Sequence, residues 1–370
     1  MPEVNEEQVI DLLNISKQVL LVEPRYVRKY IPLGLAKISR YVKSQGGQTV
    51  FTRSGTENTK HYDLVCITSL FTYDSKAVLD IIDESQWWNP HTPVLVGGIF
   101  ATLMKKYLLG RKNVLVFAGY SKTLDTCVPD YETDWAVEAP WNKFSFTFTS
   151  RGCPNRCPYC AVHTLESERW INPDWAAHIE VDKPYAMISD NNLSANPEHL
   201  DRVIELLTQQ GKKVVFDNGF DCKFITEDMA TKLGKLKFTR CGMRMAFDRI
   251  EEDGTFQNAI LKLLTHGVPK SEIMAYCLFN FQDTPQEANY RLSECAKFGI
   301  RPYPQQFTPL NRLDRKSMYV GRHWTPTLVR AFRHFWLMAG YFTKTTFESW
   351  IRTQTKFKLE DCDWTAWNTA

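Results

Sequence analysis

Short apolar runs recur along the chain, each closed by glycine or polar turns and followed by a stretch whose apolar positions return at helical spacing. In residues 1–140 the runs fall at 18–23, 63–69, 93–96 and 113–118, with amphipathic stretches at 33–45 and 76–85. This alternation predicts an α/β unit of the doubly wound, Rossmann-like kind. From residue 141 the rhythm restarts. Phe144, Phe146 and Phe148 alternate with Ser145, Thr147 and Thr149, the period of a strand. Further strands are predicted at 185–189, 213–216, 243–247, 272–279 and 301–307, separated by helices at 199–210, 226–233, 255–266 and 286–298. Strands joined by crossover helices predict parallel pairing, with functional loops at the C-terminal strand ends. The second unit is therefore expected over 141–310, followed by a mainly helical extension over 311–370 that includes a helix at 327–338.

Composition narrows the class without naming a function. With 370 residues, 44% hydrophobic and 24% charged, the chain reads as two globular domains plus an extension. No apolar stretch approaches the roughly 18 residues that a membrane helix needs, so no membrane partner is expected. The extension interleaves Trp324, Trp336, Trp350, Trp364 and Trp367 with Arg322, His323, Arg330, Arg333, His334, Lys344, Arg352, Lys356 and Lys358. Such a pattern can stack bases and hold phosphates, or it can cover the open side of an incomplete barrel. The formal net charge of +3 is too small to demand a polyanion, which favours the covering role while nucleic acid stays open as a partner.

Ten cysteines carry the chemistry. Cys66, Cys222, Cys277 and Cys295 lie in apolar or amphipathic runs and read as core fillers. No secretory signal is visible, so free thiols in a reducing cytoplasm are expected rather than a disulfide framework. The run Cys153-Pro-Asn-Arg-Cys157-Pro-Tyr-Cys160 is different. Three thiols at this spacing can hold three corners of an iron–sulfur cube and leave the fourth iron open, whereas clusters that only carry electrons are usually held by four cysteines. A zinc site is the competing reading, with His163 as a fourth ligand. That reading makes the chain a zinc-stapled nucleic-acid-binding protein using its aromatic tail.

The CxxxCxxC run closely resembles the signature of the radical S-adenosylmethionine (SAM) enzymes, and the repeating strands and helices match that family's partial (β/α)6 barrel. The resemblance implies a [4Fe-4S] cluster on Cys153, Cys157 and Cys160 that chelates SAM through its open iron. It further implies an external one-electron reductant of the flavodoxin or ferredoxin type, reductive cleavage of SAM, and a 5′-deoxyadenosyl radical acting at an unactivated carbon. Tyr159 is then the aromatic residue that leans on the adenine. Asp190 and Asn191 follow the second strand where the family contacts SAM's amino group, although each also suits a loop cap or Asx turn. Arg244 can pair bidentately with a carboxylate such as SAM's, or form an ion pair with Asp248 or another acid. Residues 277–287 resemble the family's fifth-strand segment, with Asn280 and Gln282 standing where glycines are frequent. No catalytic acid or hydrogen-atom donor is legible: Cys241, Cys277 and Tyr303 lie at plausible strand positions, but core packing is the better reading of each.

Pro32 to Leu35 and Val94 to Thr102 resemble segments of the cobalamin-binding domains of class B radical SAM methyltransferases and their relatives. This implies a cobalamin-dependent methyltransferase as an alternative. The Asp-x-His-x-x-Gly run that replaces cobalt's lower ligand with histidine is absent, and Glu23-Pro-Arg-Tyr-Val-Arg-Lys stands there instead. Histidine ligation of cobalt is thereby excluded, though cobalamin itself is not. Arg25, Arg28 and Lys29 suit phosphate, nucleic acid or solvent, and Gly97 and Gly98 suit either a cofactor's approach or a strand-to-helix turn. A methylthiotransferase is disfavoured, since only Cys66 and Cys127 precede the motif. The substrate is not legible.

Overall fold

The computed structural model describes residues 3–25, 30–53, 61–314 and 318–357. It is α/β with mostly parallel sheets. The chain divides into two compact units, one within Met1–Ala186 and Leu310–Ser317, the other within Met187–Pro309 and Met318–Ala370.

The first unit runs α1 (Glu6–Ile15), β1 (Gln18–Val22), α2 (Leu33–Ser44), β2 (Gln48–Thr52), β3 (Leu64–Ser69), α3 (Ser75–Trp88), β4 (Val94–Gly97), α4 (Gly98–Leu103), β5 (Val114–Val116) and α5 (Lys122–Thr126). Its strands pair in the order β2-β1-β3-β4-β5, every pair parallel. One core gathers Leu20, Val22, Val65, Ile67, Val94 and Val96 with Val78, Ile81 and Ile82 of α3 and Phe100 of α4. The alternate residues Val19, Leu21, Leu64 and Cys66 are buried as well. Both faces of the sheet are therefore covered, which is why its central strands read as continuous apolar runs. Two elements lie outside the apolar pattern. β2 is a half-exposed edge strand, and α1 buries only Val9 and Leu13 but is capped reciprocally by Asn5 and Gln8.

After α5 come β6 (Phe144–Thr147), β7 (Ser150–Arg151), α6 (Val162–Leu165) and β8 (Trp170–Ile171), and the division between units falls within β9 (Tyr185–Ile188). The strand expected over 144–149 stops short, and β7 instead pairs antiparallel with β8. Ser145, Thr147 and Thr149 are fully buried. Two of their hydroxyls are used internally: Ser145 Oγ accepts the Glu180 N–H at 3.0 Å, and Thr147 Oγ1 lies 3.0 Å from His178 Nδ1.

The second unit continues with α7 (Pro197–Gln209), β10 (Lys213–Phe216), β11 (Phe220–Asp221), α8 (Glu227–Leu233), β12 (Lys237–Phe238), β13 (Met243–Ala246), α9 (Thr255–Thr265), β14 (Ile273–Phe279), α10 (Pro285–Lys297), β15 (Arg301–Gln306), α11 (Pro326–Leu337), α12 (Ala339–Phe342) and α13 (Phe347–Arg352). β11-β13-β14-β15 form a parallel sheet, and β10 lies between β9 and β12. The Phe216 N–H donates to Gly242 O at 2.9 Å, which brings β10 against the entry to β13. Strands β9, β10, β13, β14 and β15 thus follow one another in chain order.

The two faces of this sheet differ. Ile273, Ala275, Cys277 and Phe279 are buried, and Cys277 Sγ lies 3.8 Å from Cys295 Sγ of α10. The alternate row, Arg244, Met274 and Tyr276 with Arg301 and Tyr303 in register, is only half-buried or exposed. One face is thus buried, and the other carries mainly polar, more accessible residues beside the buried Leu278. α11 adds to the covered side, with Trp324 and Phe332 packed on Phe279 at centroid distances of 5.3 and 5.1 Å.

Candidate functional site

Cys153, Cys157 and Cys160 are half-buried and form no disulfide. They lie on an excursion of the chain, residues 152–169, whose two ends are the paired β7 and β8, with Ser150 opposite Ile171 and Arg151 opposite Trp170. Tyr159 is half-buried on the same loop, and the Cys160 N–H closes a turn onto Cys157 O at 3.0 Å. Gly152 explains the tightness of the neck. It adopts φ +81°, and a Cβ there would stand 2.5 Å from Glu168 O, so only glycine lets the two chain segments approach.

Charge locks the same neck. The Arg151 guanidinium donates from Nε to Asp125 Oδ2 at 2.7 Å, from Nη2 to Asp125 Oδ1 at 2.9 Å, and from Nη1 to Glu166 Oε1 at 2.8 Å. Glu166 Oε2 accepts the Gly152 N–H at 2.6 Å. Lys37 of α2 donates to Asp125 Oδ1 at 2.6 Å with both side chains buried, and Asn172 donates to Asp125 O at 2.7 Å. Burial alone would raise the Asp125 pKa, but Arg151 and then Lys37 outweigh it and hold the carboxyl below its ordinary range. Lys37 goes the other way, because burial and the nearby Arg151 outweigh the single carboxylate facing it, so its pKa is lowered. The two directions agree once the partners are counted: Asp125 serves two cations, and Lys37 has one anion. His178, buried nearby and repelled by Lys37, has its pKa lowered to about 4. Its ring is then neutral, with Nε2–H donating to Thr126 O at 3.3 Å and Nδ1 accepting from Thr147.

The zinc reading needs ligands that converge on one ion. Among the described residues no group of three or more His, Cys, Asp or Glu side chains is arranged to hold a single metal ion, and His163 is exposed on α6. Cluster cysteines each bind a different iron, so they do not share such a point.

In the second unit Arg244 pairs with Asp217, not with Asp248. Its Nη1 donates to the Asp217 carboxylate, to Asp217 O at 2.7 Å and to Tyr276 Oη at 2.9 Å. Its Nε is buried without a hydrogen-bond partner among the described residues. Asp248 instead accepts the Leu278 N–H at 3.0 Å. Asp190 is buried and Asn191 half-buried in the turn after β9. Cys277 is core, as the packing reading has it, and Cys241 is half-buried. Tyr303 is not core: it is 36% exposed, with its ring edge-on to Tyr276 at 5.5 Å. Asn280 adopts φ +67°, a conformation glycine would otherwise serve and asparagine tolerates. Its amide also donates to Tyr319 O at 2.9 Å and accepts the Gly321 N–H at 2.8 Å, tying β14 to the extension.

Trp324, Trp336 and Trp350 are buried, whereas Arg322, His323, Arg330, Arg333, His334, Lys344, Arg352 and Lys356 are exposed. These three indoles are packing, not a base-stacking surface. Trp364, Trp367, Lys358, Arg28 and Lys29 lie outside the described residues, and Arg25 is exposed. Gly98 is accounted for by its turn, since at φ +82° a Cβ would meet Thr68 Oγ1 at 2.5 Å. Among the described residues no helix is long and apolar enough to cross a membrane.

No protein-family model matches the chain, and no curated protein matches it. Sequence reasoning missed Lys37, Asp125 and Glu166. No spacing rule links them to the cysteines, and the one available signal was Arg151, a charged residue directly before the motif in need of an acidic partner.

Proposed function

We propose that the protein is a radical SAM enzyme that modifies its substrate at an unactivated carbon. The observation that carries this reading is the trio of half-buried cysteines within eight residues, on one loop closed at its neck. Three soft donors at this spacing suit a [4Fe-4S] cluster with one open iron. When bound and reduced by a small electron-transfer protein, the cluster supplies the electron that cleaves SAM to methionine and a 5′-deoxyadenosyl radical. The chain's own residues bind and orient. Tyr159 offers an aromatic face for the adenine, and Asp190 and Asn191 offer acceptors for an ammonium group. Arg244 keeps donors unused by Asp217 and Tyr276, which fit a carboxylate. The chain-order run of strands with intervening helices is consistent with a partial (β/α)6 barrel, in which the strand residues Arg244, Tyr276 and Tyr303 would line the reaction chamber.

The test is anaerobic reconstitution with iron and sulfide, reduction, addition of SAM, and chromatography for 5′-deoxyadenosine. Cleavage that disappears in Cys153/Cys157/Cys160→Ala supports the assignment; cleavage that persists, or a protein that takes up zinc and no iron, refutes it. A second reading, the cobalamin-dependent methyltransferase, is favoured by the parallel order β2-β1-β3-β4-β5, one of the common doubly wound orders that bind cofactors at the switch point between β1 and β3. Cobalamin-dependent methyl transfer in the same assay would select it.

A further inference from the structure

We infer that Arg151, Asp125 and Glu166 form a clasp that holds the cysteine loop in a preset shape before any cluster is present, with Lys37 tethering the clasp to α2. What the loop binds rests on the radical SAM reading; the clasp itself does not.

The argument begins with what the loop lacks. Between Gly152 and Val162 it has no helix or strand. A segment of that kind loses conformational entropy when three of its side chains are fixed at once, and the cost falls if its ends are already held. The ends are held unusually well. At the start, Arg151 has Nε, Nη1 and Nη2 each bonded to a carboxylate. At the far side, Glu166 bridges back with one oxygen on Arg151 and the other on the Gly152 N–H. A single side chain therefore ties the first two residues of the neck to the residue that ends α6. Asp125 supplies the fixed point, since its carboxylate takes two bonds from Arg151 and one from Lys37 and its carbonyl takes the Asn172 amide from beyond β8.

Burying four charges is an expensive way to add stability, because desolvation offsets most of the attraction and apolar residues of similar volume would serve as well. What such a network provides is geometry. A guanidinium fork on two carboxylates fixes angles as well as distances, and the Phe148 ring stacked 3.5 Å from the guanidinium carbon limits the remaining freedom of the arginine. The clasp residues do not include the cysteines, so they are positioning residues.

The experiment is hydrogen–deuterium exchange on the full-length apo protein and its Glu166→Gln variant, which keeps the side chain's volume and one acceptor but loses the charge. Amide exchange across 153–165 is expected to accelerate at least tenfold, while the β1, β3 and β4 amides keep their wild-type rates. Iron uptake on reconstitution should fall several-fold, and the EPR signal of the reduced cluster that remains should broaden. Arg151→Lys should behave like Glu166→Gln, because an ammonium cannot reproduce the fork; wild-type exchange in either variant overturns the clasp. Acceleration spread equally over the unit, with a normal EPR signal, also overturns it and leaves a role in stability alone. Asp125→Asn is a harsher variant, and Glu166→Gln decides the question if it does not fold. A wild-type protein that takes up no iron sinks the cluster reading while the exchange result still judges the clasp.

Discussion

Two arginines, Arg151 beside the cysteine loop and Arg244 on β13, divide between them the structural and the binding uses of a guanidinium. Arg151 spends all three nitrogens on two carboxylates that are themselves buried. Arg244 makes its hydrogen bonds through Nη1 alone, to an acid whose side chain is 38% exposed, and leaves Nε unpaired. Arg151 is thus committed to buried acids at every nitrogen, whereas Arg244 keeps a nitrogen that none of the described residues engages. The difference ties Arg151 into the scaffold of the neck and leaves Arg244 with a donor that the proposed role in ligand binding would use, although both lie in polar strands and both pair with aspartate.

The strongest way to break this contrast is to remove each arginine in turn. Arg151→Met leaves Asp125 and Glu166 buried without their main partner, and losing one member of a buried ion network costs about 3–5 kcal/mol. Arg244→Met exposes no comparable debt, because water reaches Asp217, and its effect on stability should be under about 1 kcal/mol. Urea denaturation of the two variants measures both. Equal losses would erase the distinction.

A second, smaller effect sharpens the Arg151 side. His178 is neutral in the fold, with its pKa lowered to about 4 against an ordinary 6.5. An unfolded chain takes up this proton first, so the histidine weakens the fold as pH falls from about 6.5 towards 4, by roughly 3 kcal/mol at the end of the range. Glu23, raised to about 7 chiefly by burial against the pull of Arg53, acts in the opposite sense and weakens the fold as pH rises through the same window. The wild-type curve blends the two, and the difference between wild type and His178→Gln isolates the histidine. A pH-independent difference would mean that neither burial nor Lys37 disfavours a charge at that position.

The ease with which each region can be read from sequence follows the same division. Alternating apolar runs gave β1, β3, β10 and β14 almost to the residue, because strands buried on both faces or on one leave a periodic trace. Short polar pairings leave none: β7 and β8 contribute two residues each, and the expected strand over 144–149 ends at Thr147, before β7 begins at Ser150. The cysteines were legible because their spacing is local. Arg244 was legible as a charge in a strand, but its partner proved to be Asp217, which only the offset between β10 and β13 brings near. Lys37, Asp125 and Glu166 come from three separate elements, and folding alone assembles them. The extension was legible in the reverse sense: among its described residues the tryptophans and bases share one sequence stretch but separate into a buried set and an exposed set, as amphipathic spacing does within α11.

On the Arg244 side, the largest expected effect is on ligand affinity. Arg244→Lys keeps the charge but removes the fork, and loss of one charge-assisted hydrogen bond lowers affinity by about 1.5–3 kcal/mol, or roughly tenfold to a hundredfold in the SAM dissociation constant. Equilibrium dialysis against labelled SAM reads this directly, and unchanged affinity would return Arg244 to the role of Asp217's ion-pair partner. Tyr276→Phe is the gentlest probe of all. It deletes the hydroxyl that accepts from Arg244 Nη1 at 2.9 Å while keeping the ring that packs on Tyr303. The guanidinium then has one constraint fewer and one donor more, so SAM affinity should change by no more than about 1 kcal/mol, and thermal stability should hold. If the Phe variant instead lost SAM binding as completely as Arg244→Lys, the tyrosine would be fixing the arginine's orientation. The second unit would then rely on a preset geometry in the way the cysteine-loop neck does, and the contrast between the two arginines would shrink to a difference in burial.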